Sequence, residues 1–286
     1  MIYLLLSIVC STAINLIFRL FKKWSTDNLQ AIVWNYAVCV ICGYIFTAEV
    51  SISDFNQVWS GSAFLLGFLF IGIFFLMART AQEYGIAVAA VSAKMAVVFP
   101  VLFGILIVAE PIYLTTWLGI ILSIISVWFV SFSNNKAELG HHWWLPLLVF
   151  VGSGIIDLSL KLINWKFSAI NEAHLAMTIF GTAGVIGFLI QFGRVLKGQS
   201  QFEFKNIWAG IVLGVPNYFS IYYLLKAINI PDMPAVVLFP INNIGVVLLS
   251  TLFSVLLFKE KLSTKKLWGI IFSIISILLL TYQLSQ

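Results

Sequence analysis

The chain has 286 residues, of which 61% are hydrophobic and only 9% are charged, and its mean hydropathy is +1.04. Soluble domains are about half apolar and about a quarter charged, so this composition excludes a water-soluble fold and predicts an integral membrane protein. In such a chain the net charge of +5 reports on membrane topology, and we predict no nucleic-acid partner.

Long unbroken apolar segments predict transmembrane α-helices rather than a β-barrel, whose strands would be short and alternating. Ten spans of about 20 residues use most of the chain and leave little room for a soluble domain. The predicted spans are 2–21, 29–48, 61–80, 86–108, 112–132, 143–164, 173–193, 206–227, 234–258 and 266–284. The first run lacks the features of a signal peptide and is predicted to be retained. The sequence therefore predicts an all-α, multi-pass protein of the cell (inner) membrane.

An internal repeat organises these spans. The stretch at 119–126 recurs at 269–276 with seven of eight residues identical, an offset of 150 that also pairs Glu110 with Glu260. We predict two five-helix repeats, 1–135 and 143–286, joined by a polar linker at about 133–142. Because five is odd, the second repeat must enter the bilayer from the opposite side. Such inverted repeats are typical of secondary transporters.

The first helix of each repeat carries a polar stripe. Within a stripe the residues are four apart, so they stack on one helix face, and both stripes run from small to cationic residues. At an offset of 142 the two stripes are Ser11, Asn15 and Arg19, then Ser153, Asp157 and Lys161. We predict that five residues either form a polar stripe along the transport path or take part in gating. They are Ser11, Arg19, Ser153, Lys161 and Arg79, the last of which ends the third span.

These features resemble the EamA-type ten-helix transporters of the drug/metabolite transporter superfamily, over essentially the whole chain. The residues that carry the likeness are Glu110 with Gly119, Glu260 with Gly269, the stretch 79–85 before an Ala-rich helix, and Pro100. The resemblance implies transport of small metabolites through a central cavity lined mainly by spans 1, 3, 4, 6, 8 and 9. One departure is that Pro100 aligns with Ser250, whereas the ninth span carries Pro240. We interpret the two glutamates, which lie at span ends, as capping or loop contacts.

Membrane orientation stays open at this stage. Twelve of the sixteen basic residues lie in loops on one side, after spans 1, 3, 5, 7 and 9. The positive-inside rule then predicts that both termini are outside, whereas the resemblance implies that both are inside.

Lys94 lies about eight residues, or about 12 Å, inside the fourth span. A cation at such depth costs about 2.5 to 3.5 kcal/mol on insertion scales, so it should face a cavity or a partner. We predict that Lys94 takes part in substrate binding and proton coupling. The alternative is a lysine bound to a carboxylate such as Asp157, or to helix carbonyls, that only holds the bundle together.

Asp157 is the only carboxylate well inside a predicted span, and we predict a proton-coupling role for it. Its alternative is a fixed salt bridge with Lys161, one helical turn away. Further polar residues of the inner spans are predicted to contact substrate, although packing and interhelical hydrogen bonds would also explain them. They are Asn15, Asn217, Tyr218, Tyr222, Asn242 and Asn243.

The resulting prediction is a secondary transporter that moves a small polar or zwitterionic, amino-acid-like metabolite by alternating access, with proton coupling as one mode. We expect no enzymatic activity, no cofactor and no metal. The expected partners are the substrate and the lipid bilayer, and the chain is expected to be a monomer or homodimer. The alternatives are a multidrug or amphiphile exporter, suggested by 15% aromatic residues, a structural membrane subunit, and an intramembrane lipid enzyme.

Overall fold

The computed structural model describes residues 2–46, 59–107, 113–131, 142–167, 172–228 and 235–284, and these ranges are helical and contain no strand. The helices are α1 Ile2–Lys23, α2 Asn28–Phe46, α3 Ser60–Glu83, α4 Ile86–Met95, α5 Val98–Leu106, α6 Leu114–Ser131, α7 Leu145–Lys166, α8 Glu172–Leu196, α9 Phe204–Ile228, α10 Ala235–Phe258 and α11 Thr264–Leu284. Within the described ranges, nine segments are long and apolar enough to cross a bilayer, with α4 and α5 counted together. The chain is an α-helical, multi-pass membrane protein.

The fourth predicted span is two helices instead of one. Helix α4 ends at Met95, with Ala96 as its C-cap, and α5 begins at Val98. Pro100 explains the break, because its ring clashes with the carbonyl group four residues earlier, at Ala96, and it has no N–H to donate. By contrast, α9 continues through Pro216 without interruption.

Consecutive helices cross the bundle in opposite directions, so α1, α3, α8 and α10 end at the same side. We call this side the Arg19 face, after the residue near the end of α1, and the other side the opposite face. Helices α2, α4, α9 and α11 begin at the Arg19 face. The linker predicted at about 133–142 lies outside the described residues except for His142.

Small residues bring the helices close together. The repeated motif forms the interface between α6 and α11, where Ser126 donates a hydrogen bond to the carbonyl of Gly269 and Ser276 donates one to the carbonyl of Gly119, both at 2.7 Å. On α9, a Cβ atom at Gly214 would lie 2.6 Å from Cβ of Val38 on α2. These contacts are typical of membrane helices, where close backbone approach and interhelical hydrogen bonds replace the hydrophobic effect.

Large apolar side chains remain exposed on the outer surfaces of the bundle. Leu65 and Phe68 on α3 and Val185 and Leu189 on α8 are each about half exposed or more. Such a surface suits contact with lipid, and it agrees with the hydropathy of the spans.

Candidate functional site

The two charged residues predicted deep in the membrane face one another across α4 and α7, which pack together. Lys94 lies in the last turn of α4 and Asp157 near the middle of α7, and the two side chains interact electrostatically. Both are only partly buried. Within the described part of the chain, neither side chain forms a direct hydrogen bond or salt bridge, with its counterpart or with any other residue. Each charge is therefore left to interact with its counterpart without a direct contact.

The other members of the two polar stripes differ in their exposure and in their hydrogen-bond partners. On α7, Ser153 is partly accessible, one turn before Asp157. Lys161 donates a hydrogen bond of 2.9 Å to the carbonyl of Pro100, and its ammonium lies 5.8 Å from the centre of the Phe103 ring. Lys161 thus binds the second half of the broken span.

On α1, Ser11 is partly accessible, whereas Asn15 is buried with only 4% of its surface exposed. The Asn15 amide nitrogen lies 3.5 Å from the carbonyl oxygen of Ser11, and its own oxygen has no hydrogen-bond partner among the described residues. Asn15 is therefore held inside the bundle and leaves an acceptor unsatisfied.

A second charged pair lies at the Arg19 face. Nε of Arg19 is 3.2 Å from Oε1 of Glu260, which follows α10, and the Arg19 guanidinium also donates to the carbonyls of Ala81 and Gln82 at the end of α3. Ser254 donates a hydrogen bond to the other Glu260 oxygen. We call this network of Arg19, Glu260, Ala81 and Gln82 the latch. It joins three helices at one side of the bundle.

Gly85, which precedes α4, allows the latch to form. Its φ angle of +101° is one that L-residues with a side chain rarely adopt, and a Cβ atom there would collide with the Glu260 carboxylate. The side chains of Arg19 and Glu260 are 25% and 11% exposed. A pair this buried is screened by salt much less than a surface pair.

Sequence reasoning placed Arg19 on the path but missed its partner. Glu260 was interpreted as a capping or loop contact, although Gly85 and the i, i+4 stripe ending at Arg19 were available signals. Glu110, the repeat counterpart of Glu260, lies outside the described residues. Arg79 lies apart from the latch, because it forms a two-point contact of 2.6 and 3.1 Å with Glu83 one turn away.

The predicted substrate residues of α9 face α2. The Asn217 amide donates to the Asn35 oxygen at 3.0 Å, and Tyr218 and Tyr222 stack on one another with ring centres 5.8 Å apart. Both tyrosine rings also lie 6.2 Å from the ring of Phe46 at the end of α2. The structure does not bring these residues together with Lys94 and Asp157, and their role in binding stays a prediction.

The two asparagines of α10 differ in their surroundings. Asn242 is buried, and its side-chain oxygen accepts a hydrogen bond of 3.2 Å from Ser7 on α1. Asn243 is partly accessible. Asn242 thus holds α1 against α10, and Asn243 is the one of the two with surface to offer a ligand.

Helix packing differs between the two sides of the bundle. Helix α1 packs against α3 and α4, which come together at the latch. The counterpart contacts in the second repeat would be between α7 and α9 or α10, and no comparable packing is present there among the described residues. The packing of the described helices is therefore asymmetric, with α1 in contact with α3 and α4 and no comparable packing of α7 on α9 or α10.

No family model matches the chain. An uncharacterized protein of Haemophilus influenzae is 27% identical over 292 aligned positions, which span 98% of this chain and 97% of that protein. A crystal structure of another protein is similar with a TM-score of 0.60 at 15% identity, covering 96% of this chain and 97% of that one. At this identity, the likeness concerns the fold alone.

Proposed function

We propose that the protein is a secondary transporter of a small zwitterionic, amino-acid-like metabolite. The observation that carries the proposal is the pair of opposite charges, Lys94 and Asp157, which are accessible at membrane depth and not directly bonded to one another. Charged groups inside a bundle are costly and usually mark a substrate or ion pathway. A zwitterion can present its carboxylate to Lys94 and its ammonium group to Asp157, so that both charges gain a partner.

The inverted repeat is the second part of the proposal, and helix packing supports it. For several contacts, exchanging each helix for its counterpart in the other repeat turns one observed contact into another. The packing of α1 on α9 corresponds to that of α7 on α3, and α2 on α9 corresponds to α8 on α3. The contact of α1 with α10 corresponds to that of α7 with α4 and α5, whereas α6 with α11 corresponds to itself. A two-fold relation between the halves would produce this pattern.

Alternating access is the third part of the proposal, and the asymmetric packing supports it. With the latch formed, the path from Lys94 and Asp157 to the Arg19 face is closed. In the alternate state the latch would open, and α7 would close against α9 and α10. Proton coupling through Asp157 and Lys94, location in the cell (inner) membrane, and a monomeric or homodimeric state remain parts of this proposal.

A screen for ligands tests the proposed substrate class. We expect zwitterionic amino acids to raise the melting temperature of the purified protein, because binding to the native state stabilises it by mass action. Sugars, nucleosides and apolar organic cations should give no comparable increase. Stabilisation by apolar cations alone would instead support the amphiphile exporter, and no stabilisation by any zwitterion would count against the proposed substrate class.

A further inference from the structure

Three mutually packed helices, α1, α4 and α10, carry buried hydroxyl groups that have no partner among the described residues. Thr12 on α1, Ser92 on α4 and Ser250 on α10 have 0% of their surface exposed, and none of their side-chain oxygens has a hydrogen bond within the described ranges. The side-chain oxygen of Asn15, one turn from Thr12, is also buried and has no hydrogen bond within the described ranges. A buried polar group without a partner is costly, so four on adjacent helices require an explanation.

The register of α1 and α10 places Thr12 and Ser250 at the same depth. These helices run parallel and touch where Ser7 donates to Asn242, an offset of 235, and where Gly245 packs on Ile8, an offset of 237. Thr12 and Ser250 are at an offset of 238. Thr12 is also one turn after Ile8, so it lies on the same face of α1.

The register of α1 and α4 brings Ser92 to the same depth. The two helices run antiparallel. At the latch, the Glu260 carboxylate lies against Gly85 and also pairs with Arg19. Ser92 is seven residues beyond Gly85, and Thr12 is seven residues before Arg19, which is about 10 Å in each case. Ala89, three residues before Ser92, belongs to the apolar cluster that includes Phe18 of α1. Ser92, about 60° around the helix from Ala89 and about 40° from Val88, therefore lies between the side of α4 that joins this cluster and the side that packs on a second apolar cluster, which includes Val88.

The chemistry of this cluster favours a monovalent cation. All four unpartnered atoms are uncharged oxygens, which are hard ligands, and the set lacks the carboxylates that bind divalent cations. Helix α4 ends three residues after Ser92, so its last carbonyls place partial negative charge at the same depth. Lys94 is two residues after Ser92, about 200° around the helix, and faces α7 instead.

We propose that Thr12, Asn15, Ser92 and Ser250 form a sodium-binding site where α1, α4 and α10 meet, between the latch and the Lys94–Asp157 pair. Bound sodium holds these three helices together in the latched state. A role for sodium as the coupling ion of a transporter rests on the proposed function above, whereas sodium binding itself does not. Broken helices of other transporters bind Na⁺ through such half-helix ends.

The test is the melting temperature of the purified protein in NaCl, LiCl, KCl and choline chloride at constant ionic strength and without any organic solute. We expect a saturable increase in Na⁺ that is absent in choline. Thr12→Val, Ser92→Ala and Ser250→Ala should each raise the Na⁺ concentration for half-maximal stabilisation by at least tenfold.

Ser126→Ala is the matched control, because it removes an equally buried hydroxyl that bonds a carbonyl between α6 and α11. This variant should keep the sodium-dependent increase even if its baseline melting temperature falls. Each increase is measured within one variant, so a change in baseline stability does not obscure it. Equal melting temperatures in all four salts, as expected if the hydroxyls hold only water, would overturn the proposal. So would a sodium response that Ser92→Ala and Ser250→Ala leave unchanged. Neither result depends on whether zwitterions bind.

Discussion

Replacing Asp157 with asparagine or Lys94 with methionine is expected to weaken zwitterion binding by about 10- to 150-fold. Each change removes one charge-assisted hydrogen bond, worth about 1.5 to 3 kcal/mol, and about 1.4 kcal/mol corresponds to a factor of ten. The measurement is the concentration of amino acid that gives half of the maximal thermal stabilisation. Lys205→Met is the matched control, because Lys205 lies half-exposed at the Arg19 face in an ion pair of 3.0 Å with Glu203.

The double variant separates binding from a purely structural role. Removing one member of a membrane-embedded charge pair leaves the other uncompensated, so each single variant can lose stability for that reason alone. With both Asp157→Asn and Lys94→Met, the site is neutral and no charge is left unpaired. We expect this protein to fold as well as the wild type and still fail to bind zwitterions. Recovery of binding in the double variant would show that the two charges only neutralise one another and do not bind the zwitterion.

Breaking the latch is expected to open the Arg19 face. Glu260→Gln keeps the shape of the side chain and an acceptor for Ser254 but removes the salt bridge to Arg19. Coupling energies of about 1 to 3 kcal/mol shift a two-state equilibrium about 5- to 150-fold. A cysteine in place of Ala89, which is fully buried one turn inside the latch, reports the change. In a background lacking the native cysteines, its labelling by a membrane-impermeant maleimide from the Arg19 face should increase at least fivefold.

Glu203→Gln is the control for the latch, since it neutralises the glutamate of an exposed ion pair at the same face. This variant should leave the labelling of the cysteine at position 89 unchanged. Gly85→Ala provides independent support, because a Cβ atom there collides with the Glu260 carboxylate and should open the latch without removing a charge. If labelling in Glu260→Gln equals that in the wild type, the latch does not hold this face closed.

Most helices follow directly from composition, because a bilayer requires long apolar segments whose backbone bonds are satisfied internally. The exception is the fourth span, where Pro100 divides one predicted helix into α4 and α5. Pro216 does not interrupt α9, and membrane helices tolerate proline where other groups satisfy the freed carbonyl.

The direction of each helix face was harder to predict. Lipid and helix neighbours are both apolar, so periodicity does not show which side of a span faces the interior. Tyr218 and Tyr222 are predicted to contact substrate, and their contacts with Phe46 on α2 could not be foreseen from the sequence. Lys94 and Asp157 were identifiable because burying a charge is costly wherever the helix faces.

Contacts between segments that are distant in the chain could not be predicted from the sequence. The latch depends on the register of α1 against α10, which are more than two hundred residues apart, and on the backbone angle at Gly85. The reciprocal bonds of Ser126 and Ser276 show the converse case. There both serines belong to the repeated motif, which is visible in the sequence.

Solute counterflow in proteoliposomes shows whether Lys94 and Asp157 bind a zwitterion that the protein then carries across the bilayer. Vesicles are loaded with an unlabelled amino acid that stabilises the protein, and a trace of the labelled form is added outside. We expect transient accumulation of label with the wild type, at a level well above protein-free vesicles, and none with the Lys94→Met/Asp157→Asn double variant. Binding of the amino acid without counterflow by the wild type, or equal counterflow by the double variant, would contradict this expectation.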